Sequence, residues 1–319
     1  MPSHSPLFVN PFAVRRPSGA ERYAELTPLW NPGNLRFRYY RPRSLKRRAL
    51  VIVLHGCGQD AASYARDSGW RELAGRLGFA LLLPEQRRIN NAEGCFNWFS
   101  PIHNRRHVGE AASIANAIHE MVRTFALDEQ RIFITGLSAG GAMASVMLST
   151  YPELFAAGAI IAGVPYGCAH NFTNAQDCLT GLERVPATDL GEFVLKASAH
   201  EGPWPRISVW HGSGDERVLP VNGDEIVRQW LTVHRLRARP HVVEKIDGYP
   251  HRVWLDREGR PTVEQYEIKG MGHGVPIAPA LIGRVGPNVL DASISSTDLI
   301  ADFFGLNDGV AKAADRTAA

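Results

Sequence analysis

The sequence predicts an α/β fold, in which a mainly parallel central sheet carries helices on both faces. Two patterns along the 319 residues indicate this class. Short continuous apolar runs recur, and such runs are typical of strands that are covered on both faces. Segments with helical spacing of apolar residues separate these runs. Strands that alternate with helices favour parallel pairing, because the chain crosses a face of the sheet between one strand and the next.

The predicted elements follow one another without an internal repeat or a long linker. Pro84 is expected to stop one strand, and Tyr151-Pro152 is expected to end the helix that begins near Ser138. The predicted strands lie at 34–40, 49–54, 79–83, 131–135, 155–161 and 206–210, and a further strand ends at 266–269. The other predicted helices lie at 67–77, 109–125, 224–236 and 295–304.

The predicted domain organisation is a single catalytic domain over residues 31–306. Residues 1–30 are interpreted as an N-terminal arm, and 307–319 as a frayed tail. Two long stretches, 84–108 and 163–205, show no regular pattern. Because loops at the carboxyl ends of strands carry the site in this architecture, we interpret both as site-building insertions, with surface padding as the alternative.

A G-x-S-x-G pentapeptide stands between a predicted strand and a predicted helix. It reads Gly136-Leu137-Ser138-Ala139-Gly140. Strand, pentapeptide and helix form the arrangement of a nucleophile elbow, which holds a serine on a sharp turn above the sheet. A side chain at either glycine would meet neighbouring backbone in so tight a bend. The segment predicts a serine hydrolase of the α/β-hydrolase class, and a turn without chemistry is the alternative.

A serine nucleophile needs a base, and the base needs an acid that orients it. In this fold the chain order is serine, acid, histidine. Asp215 and His273 each follow a predicted strand; Gly214 precedes Asp215, and Gly272 and Gly274 flank His273. Asp224 is the alternative acid, but its place at the start of a helix explains its charge. We therefore predict a catalytic triad of Ser138, Asp215 and His273.

The oxyanion of an acyl-transfer transition state needs preorganised N–H donors. One donor is expected to be the backbone N–H of Ala139, the residue after the nucleophile. The other is expected from the loop after an earlier strand, where His55-Gly56-Cys57 stands. Cys57 would contribute its N–H group. The alternative, a nucleophilic Cys57 thiol, lacks an elbow around it.

Composition excludes several other classes of protein. The chain is 45% hydrophobic and 21% charged with a net charge of +3, so nothing favours nucleic-acid binding. No apolar run is long enough to predict a membrane span. No basic region followed by an apolar run stands at the N-terminus, so no secretory signal is expected. An extracellular, periplasmic or cytoplasmic location stays open, as does the oligomeric state.

Four cysteines are present, and their number allows three disulfide pairings that the sequence does not choose between. They are Cys57, Cys95, Cys168 and Cys178. None stands in a C-x-x-C pair, and the chain contains no H-E-x-x-H motif. We therefore expect neither a metal site nor a cofactor.

Several short motifs, in their order along the chain, resemble the poly(3-hydroxybutyrate) depolymerase-type esterases, to which feruloyl and acetylxylan esterases are related. The resemblance spans about residues 30–305. The motifs are Leu54-His-Gly-Cys-Gly-Gln59, Pro84-Glu-Gln86, Cys95-Phe-Asn-Trp-Phe99, Gly136-Leu-Ser-Ala-Gly-Gly-Ala-Met143, Pro165-Tyr-Gly167, His211-Gly-Ser-Gly-Asp215 and Gly272-His273.

The resemblance implies the α/β-hydrolase fold, the triad and oxyanion donors named above, and an ester substrate. It also implies that Cys57 pairs with Cys95 and Cys168 with Cys178. Such bridges fit an oxidising compartment, in conflict with the missing signal. Trp98 and Phe99 are candidates to line the substrate cleft, and core packing is the alternative for both.

The chain departs from the family pattern after its histidine. Gly274-Val275-Pro276 stands where the family often has an alanine and a tryptophan, so a large aromatic side chain near the acyl pocket is absent. No separate polymer-binding module follows, which favours soluble oligomers or small esters. Hydroxyalkanoate esters are the leading substrate class, with feruloyl or acetyl-sugar esters as alternatives. An acyltransferase and a non-catalytic module on a hydrolase scaffold are the alternatives of other classes.

Overall fold

A computed structural model describes residues 23–182 and 185–307 of the chain. Most of the predicted arm and the predicted tail from residue 308 lie outside these ranges, and the domain boundaries stay predictions. Within the predicted arm, Ala24–Leu26 forms a short strand that pairs antiparallel with Arg36–Tyr40. The end of the predicted arm therefore contributes a strand to one edge of the sheet, where Ala24 and Leu26 are buried.

The described residues form a ten-stranded sheet in the order β1-β2-β4-β3-β5-β6-β7-β10-β9-β8. The pairs from β4 through β3, β5, β6 and β7 to β10 are parallel, and the flanking pairs are antiparallel. A small parallel sheet joins β11 and β12. The strands are β1 Ala24–Leu26, β2 Arg36–Tyr40, β3 Leu50–Leu54, β4 Ala80–Glu85, β5 Ile132–Leu137, β6 Ala157–Ile161, β7 Arg206–Gly212, β8 Val242–Ile246, β9 Tyr249–Leu255, β10 Pro261–Ile268, β11 Val275–Ile277 and β12 Val289–Asp291.

Helices cover both faces of this sheet, as the sequence predicts. Along β3, Leu50 and Ile52 point into one core with α3, α4 and α7, whereas Val51 and Val53 point into a second core with α1, α2 and α8. The strand is buried throughout because each face has its own layer of helices. The helices are α1 Ala61–Asp67, α2 Trp70–Leu77, α3 Gly109–Phe125, α4 Ala139–Thr150, α5 Phe172–Thr180, α6 Ala187–Lys196, α7 Val221–Val233 and α8 Ser296–Phe303, with a 3₁₀ turn at Pro152–Leu154.

The predicted helix 67–77 is wrong at its start. Asp67 is the last residue of α1, and α2 begins at Trp70. Gly69 separates the two helices with a φ of 90°, and a Cβ there would lie 2.9 Å from the side chain of Ile282. The positive φ and the nearby Ile282 both require glycine at this break, which the apolar pattern does not show.

Two further predictions about the elements are wrong. Pro84 does not stop its strand, because β4 continues to Glu85 and pairs Pro84 with Phe37 of β2. Its pairing with β3 ends at Leu82, so the missing N–H group removes no hydrogen bond on that side. The stretch 163–205 is not irregular throughout, since it contains α5 and α6.

The antiparallel end of the sheet buries a histidine between two carboxylates. In His251, Nδ1 lies 3.1 Å from Glu244 Oε1 and Nε2 lies 3.1 Å from Glu264 Oε2. Burial opposes the charge of His251, but the hydrogen bonds and attraction of Glu264 and Glu244 outweigh it and raise the pKa of the imidazole. Folding therefore favours the charged form of this imidazole relative to the unfolded chain.

This arrangement predicts a pH-dependent contribution of His251 to stability. Because the folded pKa is raised, the contribution is fully present below the unfolded pKa of about 6.5 and is lost as pH rises through the folded value. We expect His251→Gln to lower Tm more at pH 6 than at pH 9, measured by thermal unfolding at fixed ionic strength. An equal loss of Tm at both values would contradict the charged pairing.

Candidate active site

Ser138 stands on a sharp turn between β5 and α4. Its backbone has a φ of 59° and a ψ of −122°, which a non-glycine residue rarely adopts. The N–H of Ser138 donates to Ile161 O at 2.9 Å, and its carbonyl accepts from Ala142 N at 2.8 Å. These contacts hold the serine at the carboxyl end of β5, in the geometry of a nucleophile elbow.

Both glycines of the pentapeptide are required by close approach of the backbone. A Cβ on Gly136 would lie 2.3 Å from Gly140 O, and one on Gly140 would lie 2.4 Å from Leu54 O. Either contact is far below van der Waals distance. The turn is therefore packed against the end of β3, where the loop with Cys57 begins.

Asp215 and His273 lie in direct contact. His273 Nδ1 is 2.7 Å from Asp215 Oδ2, and the side chains are 7% and 0% exposed. The two residues follow β7 and β10, which pair in parallel and belong to the same sheet as β5. The carboxyl ends of parallel strands share one edge, so this pair and Ser138 lie at the same edge of the sheet.

The carboxylate of Asp215 is held ionised by its neighbours. Its Oδ1 accepts hydrogen bonds from the N–H groups of Arg217 and Val218 at 2.9 and 3.0 Å. Burial opposes ionisation, but hydrogen bonds from His211, His273 and Val218 outweigh it and hold the pKa of Asp215 well below its usual range. Asp215 can therefore orient His273 as a carboxylate throughout the neutral range.

His211, which the sequence motif contains but to which no catalytic role is assigned there, is a second histidine at this carboxylate. Its Nε2 lies 2.8 Å from Val218 O and 3.4 Å from Asp215 Oδ2. Since both partners are acceptors, Nε2 carries the proton. His211 lies in β7, four residues before Asp215, and this spacing was the available sequence signal.

The alternative acid and two further histidines of the chain have structural partners elsewhere. Asp224 lies in the first turn of α7 and accepts from Gln265 Nε2 at 2.8 Å. His241 Nδ1 accepts from the N–H of Leu255 at 3.0 Å, and His251 lies between Glu244 and Glu264. These contacts account for the residues without a catalytic role.

The loop after β3 carries Cys57 beside the turn. Ala139 is the first residue of α4, so its N–H has no acceptor within the helix. His55 is fully buried, and its Nε2 accepts from the N–H of Gln86 at 3.1 Å. Its Nδ1 lies 2.8 Å from Gly56 O, so this nitrogen carries the proton and donates to the carbonyl. Burial lowers the pKa of His55, which agrees with a neutral ring.

Both disulfides implied by the resemblance form in the structure. Cys57 is bonded to Cys95, and Cys168 is bonded to Cys178. The first bridge ties the loop after β3 to the segment 84–108. The second bridge ties Cys178, which lies in α5, to Cys168 in the loop before that helix. A nucleophilic Cys57 thiol is thereby excluded, because the sulfur is in a disulfide.

The two aromatic candidates have different surroundings. Trp98 is 8% exposed and packs in the core with residues of α3 and α4, as the packing alternative expects. Phe99 is half-buried, and its ring meets that of Trp98 at 5.5 Å and that of Phe172 at 5.8 Å. Phe172 is 71% exposed. The sequence analysis missed Phe172, whose signal was an aromatic residue next to a helix N-cap in the 163–205 insertion.

Metal and membrane predictions can be compared only with the described part of the chain. Among residues 23–182 and 185–307, no group of three or more histidine, cysteine or acidic side chains is arranged to hold a metal ion. In the same ranges, no helix is both long and apolar enough to cross a membrane.

The sequence is similar to a family of esterases. The profile of the family described as esterase PHB depolymerase matches residues 35–238. Poly(3-hydroxyalkanoate) depolymerase C from Paucimonas lemoignei is 41% identical over 283 residues, which are 86% of this chain and 68% of that protein. Feruloyl esterase B from Neurospora crassa is 32% identical over 284 residues, which are 86% of this chain and 89% of that protein.

The structure is similar to that of an esterase as well. Acetyl xylan esterase from Aspergillus awamori has a TM-score of 0.78 and 26% sequence identity, and the match covers 90% of this chain and 100% of that one. The similarity therefore extends over the sheet, the helices on both faces and most of the length of the chain.

Proposed function

The chain is a carboxylic ester hydrolase and belongs to the esterase PHB depolymerase family, and from this premise we propose that Ser138, His273 and Asp215 form its catalytic triad. The observation that carries the proposal is the 2.7 Å contact between His273 Nδ1 and Asp215 Oδ2, at the sheet edge that also bears Ser138. An imidazole held in this way keeps its proton on Nδ1 and presents a bare Nε2 as the base.

Hydrolysis proceeds through an acyl-enzyme. Ser138 Oγ attacks the ester carbonyl while His273 Nε2 takes the hydroxyl proton. Asp215 stabilises the imidazolium that forms, and His273 then gives its proton to the leaving alcohol. In the second half, His273 takes a proton from water as the water attacks the acyl carbonyl. When the intermediate collapses, the bond to Ser138 Oγ breaks, His273 returns the proton to Oγ, and the carboxylic acid leaves.

The charge of the two tetrahedral intermediates lies on the former carbonyl oxygen. We assign its donors to the N–H groups of Cys57 and Ala139. The close approach of Gly140 to Leu54 supports this assignment, because it brings the start of the Cys57 loop against the first turn of α4. The positive end of the α4 dipole adds to the stabilisation of the oxyanion.

The substrate class that fits best is an oligomer of a 3-hydroxyalkanoate, with 3-hydroxybutyrate as the leading unit. Identity to the depolymerase from Paucimonas lemoignei is 41%, against 32% for the feruloyl esterase from Neurospora crassa and 30% for the acetylxylan esterase from Coprinopsis cinerea. The exposed ring of Phe172, packed against the half-buried Phe99, supplies an apolar surface for such a chain. Trp98 is assigned to the core beneath it.

Cleavage of an acetylated or feruloylated sugar is the second candidate, favoured by the structural similarity to the acetyl xylan esterase. The two candidates are separated by kcat/KM for a soluble 3-hydroxybutyrate oligomer, acetylated xylo-oligosaccharide and methyl ferulate. We expect the oligomer to be preferred by about tenfold or more, which corresponds to about 1.4 kcal/mol of transition-state binding.

The same assay with Ser138→Ala serves as the blank for each substrate. A preference for the acetylated xylo-oligosaccharide or for methyl ferulate would overturn the substrate assignment and leave the triad intact. Hydrolysis of none of the three by the wild-type protein would overturn the assignment of these substrate classes.

A further inference from the structure

Glu110 has no part in the reaction described above, yet it is a fully buried acid close to the Cys57 loop. We propose that Glu110 is a positioning residue for the oxyanion donor, and that it holds the peptide group of Cys57 through Gln86 and His55. This inference rests on the proposed function, in which the N–H of Cys57 receives the oxyanion.

The carboxylate of Glu110 accepts three hydrogen bonds from two neighbouring residues. Its Oε1 accepts from Gln86 Nε2 at 2.7 Å and from Asn97 Nδ2 at 2.6 Å, and its Oε2 accepts from Asn97 N at 2.8 Å. All these donors belong to the segment 84–108, which the sequence analysis interpreted as site-building. Glu110 therefore holds this segment at two points.

Gln86 connects the carboxylate to His55. While its side chain donates to Glu110, its backbone N–H donates to His55 Nε2 at 3.1 Å. Since His55 Nε2 accepts, the proton of the neutral ring is on Nδ1, which donates to Gly56 O at 2.8 Å. The tautomer of His55 is thus set by the placement of Gln86.

The direction of the Cys57 N–H follows from this bond. In a trans peptide the carbonyl of one residue and the N–H of the next point in opposite directions. With Gly56 O held toward the buried ring of His55, the N–H of Cys57 points away from that ring. In the described part of the chain no protein acceptor is bonded to it, so this N–H is available to the oxyanion.

The Cys57–Cys95 disulfide connects the side chain of Cys57 to the same network. The side chain of Cys57 is bonded to Cys95, whose carbonyl accepts from Gln86 Nε2 at 3.0 Å. The amide nitrogen of Gln86 therefore donates both to Glu110 and to the carbonyl of Cys95, the residue that forms the disulfide with Cys57. Both the backbone and the side chain of Cys57 are thus tied to the position of one carboxylate.

Among residues 23–182 and 185–307, no lysine or arginine forms an ion pair with Glu110. His103 Nδ1 lies 3.7 Å from Oε1, but burial lowers the pKa of His103 and favours its neutral form. Burial raises the pKa of Glu110 to about 7, although the bonds from Asn97 and Gln86 oppose the shift. An acid whose ionisation costs folding free energy is not explained by stability alone, and such groups concentrate at functional sites.

The test compares an ester with its thionoester, in which sulfur replaces the carbonyl oxygen. Sulfur accepts hydrogen bonds weakly, so the ratio of kcat for ester and thionoester reports on the oxyanion donors. Glu110→Gln replaces one carboxylate oxygen with an NH₂ group. This group faces the N–H donors of Gln86 and Asn97 and cannot accept their hydrogen bonds. We expect it to lower kcat for the ester by about ten- to a hundredfold with little change in KM, because the oxyanion exists only in the transition state.

We expect the ester-to-thionoester ratio of kcat to fall by about tenfold in Glu110→Gln. The ratio is independent of the folded fraction, since both substrates meet the same sample. Glu264→Gln is the matched control, because Glu264 is also buried and bonded, to Ser208 and His251, away from the Cys57 loop. This control is expected to lower Tm and to keep the wild-type ratio.

A wild-type ratio in a folded and active Glu110→Gln variant would overturn the inference, and so would an equal fall in Glu264→Gln. If Glu110→Gln does not fold, Gln86→Met removes the amide that links Glu110 to this network and is expected to lower the ratio in the same way. A retained ratio in that variant would also contradict the inference. Activity in Ser138→Ala would instead contradict the proposed function, so the two failures are distinguishable.

Discussion

Replacing Ser138 with alanine is expected to lower kcat for ester hydrolysis by about 10⁴- to 10⁶-fold. The change removes the only atom that the mechanism uses to form the acyl-enzyme. The oxyanion donors and the binding surface remain, so the residual rate should still exceed that in water. KM should change little, because the hydroxyl contributes chiefly to the transition state.

The measurement is kcat for the substrate that the wild-type protein prefers, together with labelling by a fluorophosphonate probe. Ser149→Ala is a suitable control, since Ser149 is a fully buried serine near the other end of α4, where it donates to Ser145 O. We expect labelling in the wild-type protein and in Ser149→Ala, and none in Ser138→Ala. Labelling and activity retained in Ser138→Ala would refute the assignment of the nucleophile.

Replacing Asp215 with asparagine is expected to lower kcat by about 10⁴-fold. In the structure the carboxylate accepts from His273 at 2.7 Å and from the N–H groups of Arg217 and Val218. If the asparagine oxygen still accepts the hydrogen bonds from the N–H groups of Arg217 and Val218, its NH₂ group faces His273 Nδ1. It then favours the His273 tautomer that carries the proton on Nε2. The imidazole then presents a donor to Ser138 and cannot act as the base.

Asp224→Asn is the matched control for this change, because Asp224 was the alternative acid and bonds to Gln265. It is expected to keep kcat within about twofold of the wild-type value, as is usual for a surface substitution. Since the pKa of Asp215 is held well below its usual range, an acid limb of the pH profile near neutrality does not arise from this carboxylate. Equal kcat in the two variants would show that Asp215 is not the orienting acid.

Much of the sheet could be predicted from the sequence because its signals are local. The apolar runs that form β3, β5 and β6 are buried on both faces, and that burial dictates their composition. The elbow was also readable, since strand, glycines and helix are contiguous. The predicted helix 109–125 coincides with α3 for the same reason.

The errors occur where packing overrides a local signal. Gly69 divides a predicted helix with a φ of 90°, and Ile282, distant in the sequence, leaves no room for a side chain there. Pro84 continues β4 because the pairing of β4 with β3 has already ended at Leu82, so no hydrogen bond from residue 84 is needed there. The helices α5 and α6 in the stretch 163–205 were not predicted, because a disulfide and contacts with α7 stabilise this segment in the fold.

The sequence by itself determined the fold class, the family resemblance and the candidate residues Ser138, Asp215 and His273, because periodicity, turn chemistry and chain order are all written along the chain. Only the tertiary structure decided which buried polar groups pair with one another. Glu110 looks in the sequence like an ordinary acid in the first turn of a helix. Its bonds to Gln86 and Asn97, like that of His211 to Asp215, depend on how separate elements pack, and hydrogen bonds require distances and directions that no local pattern encodes.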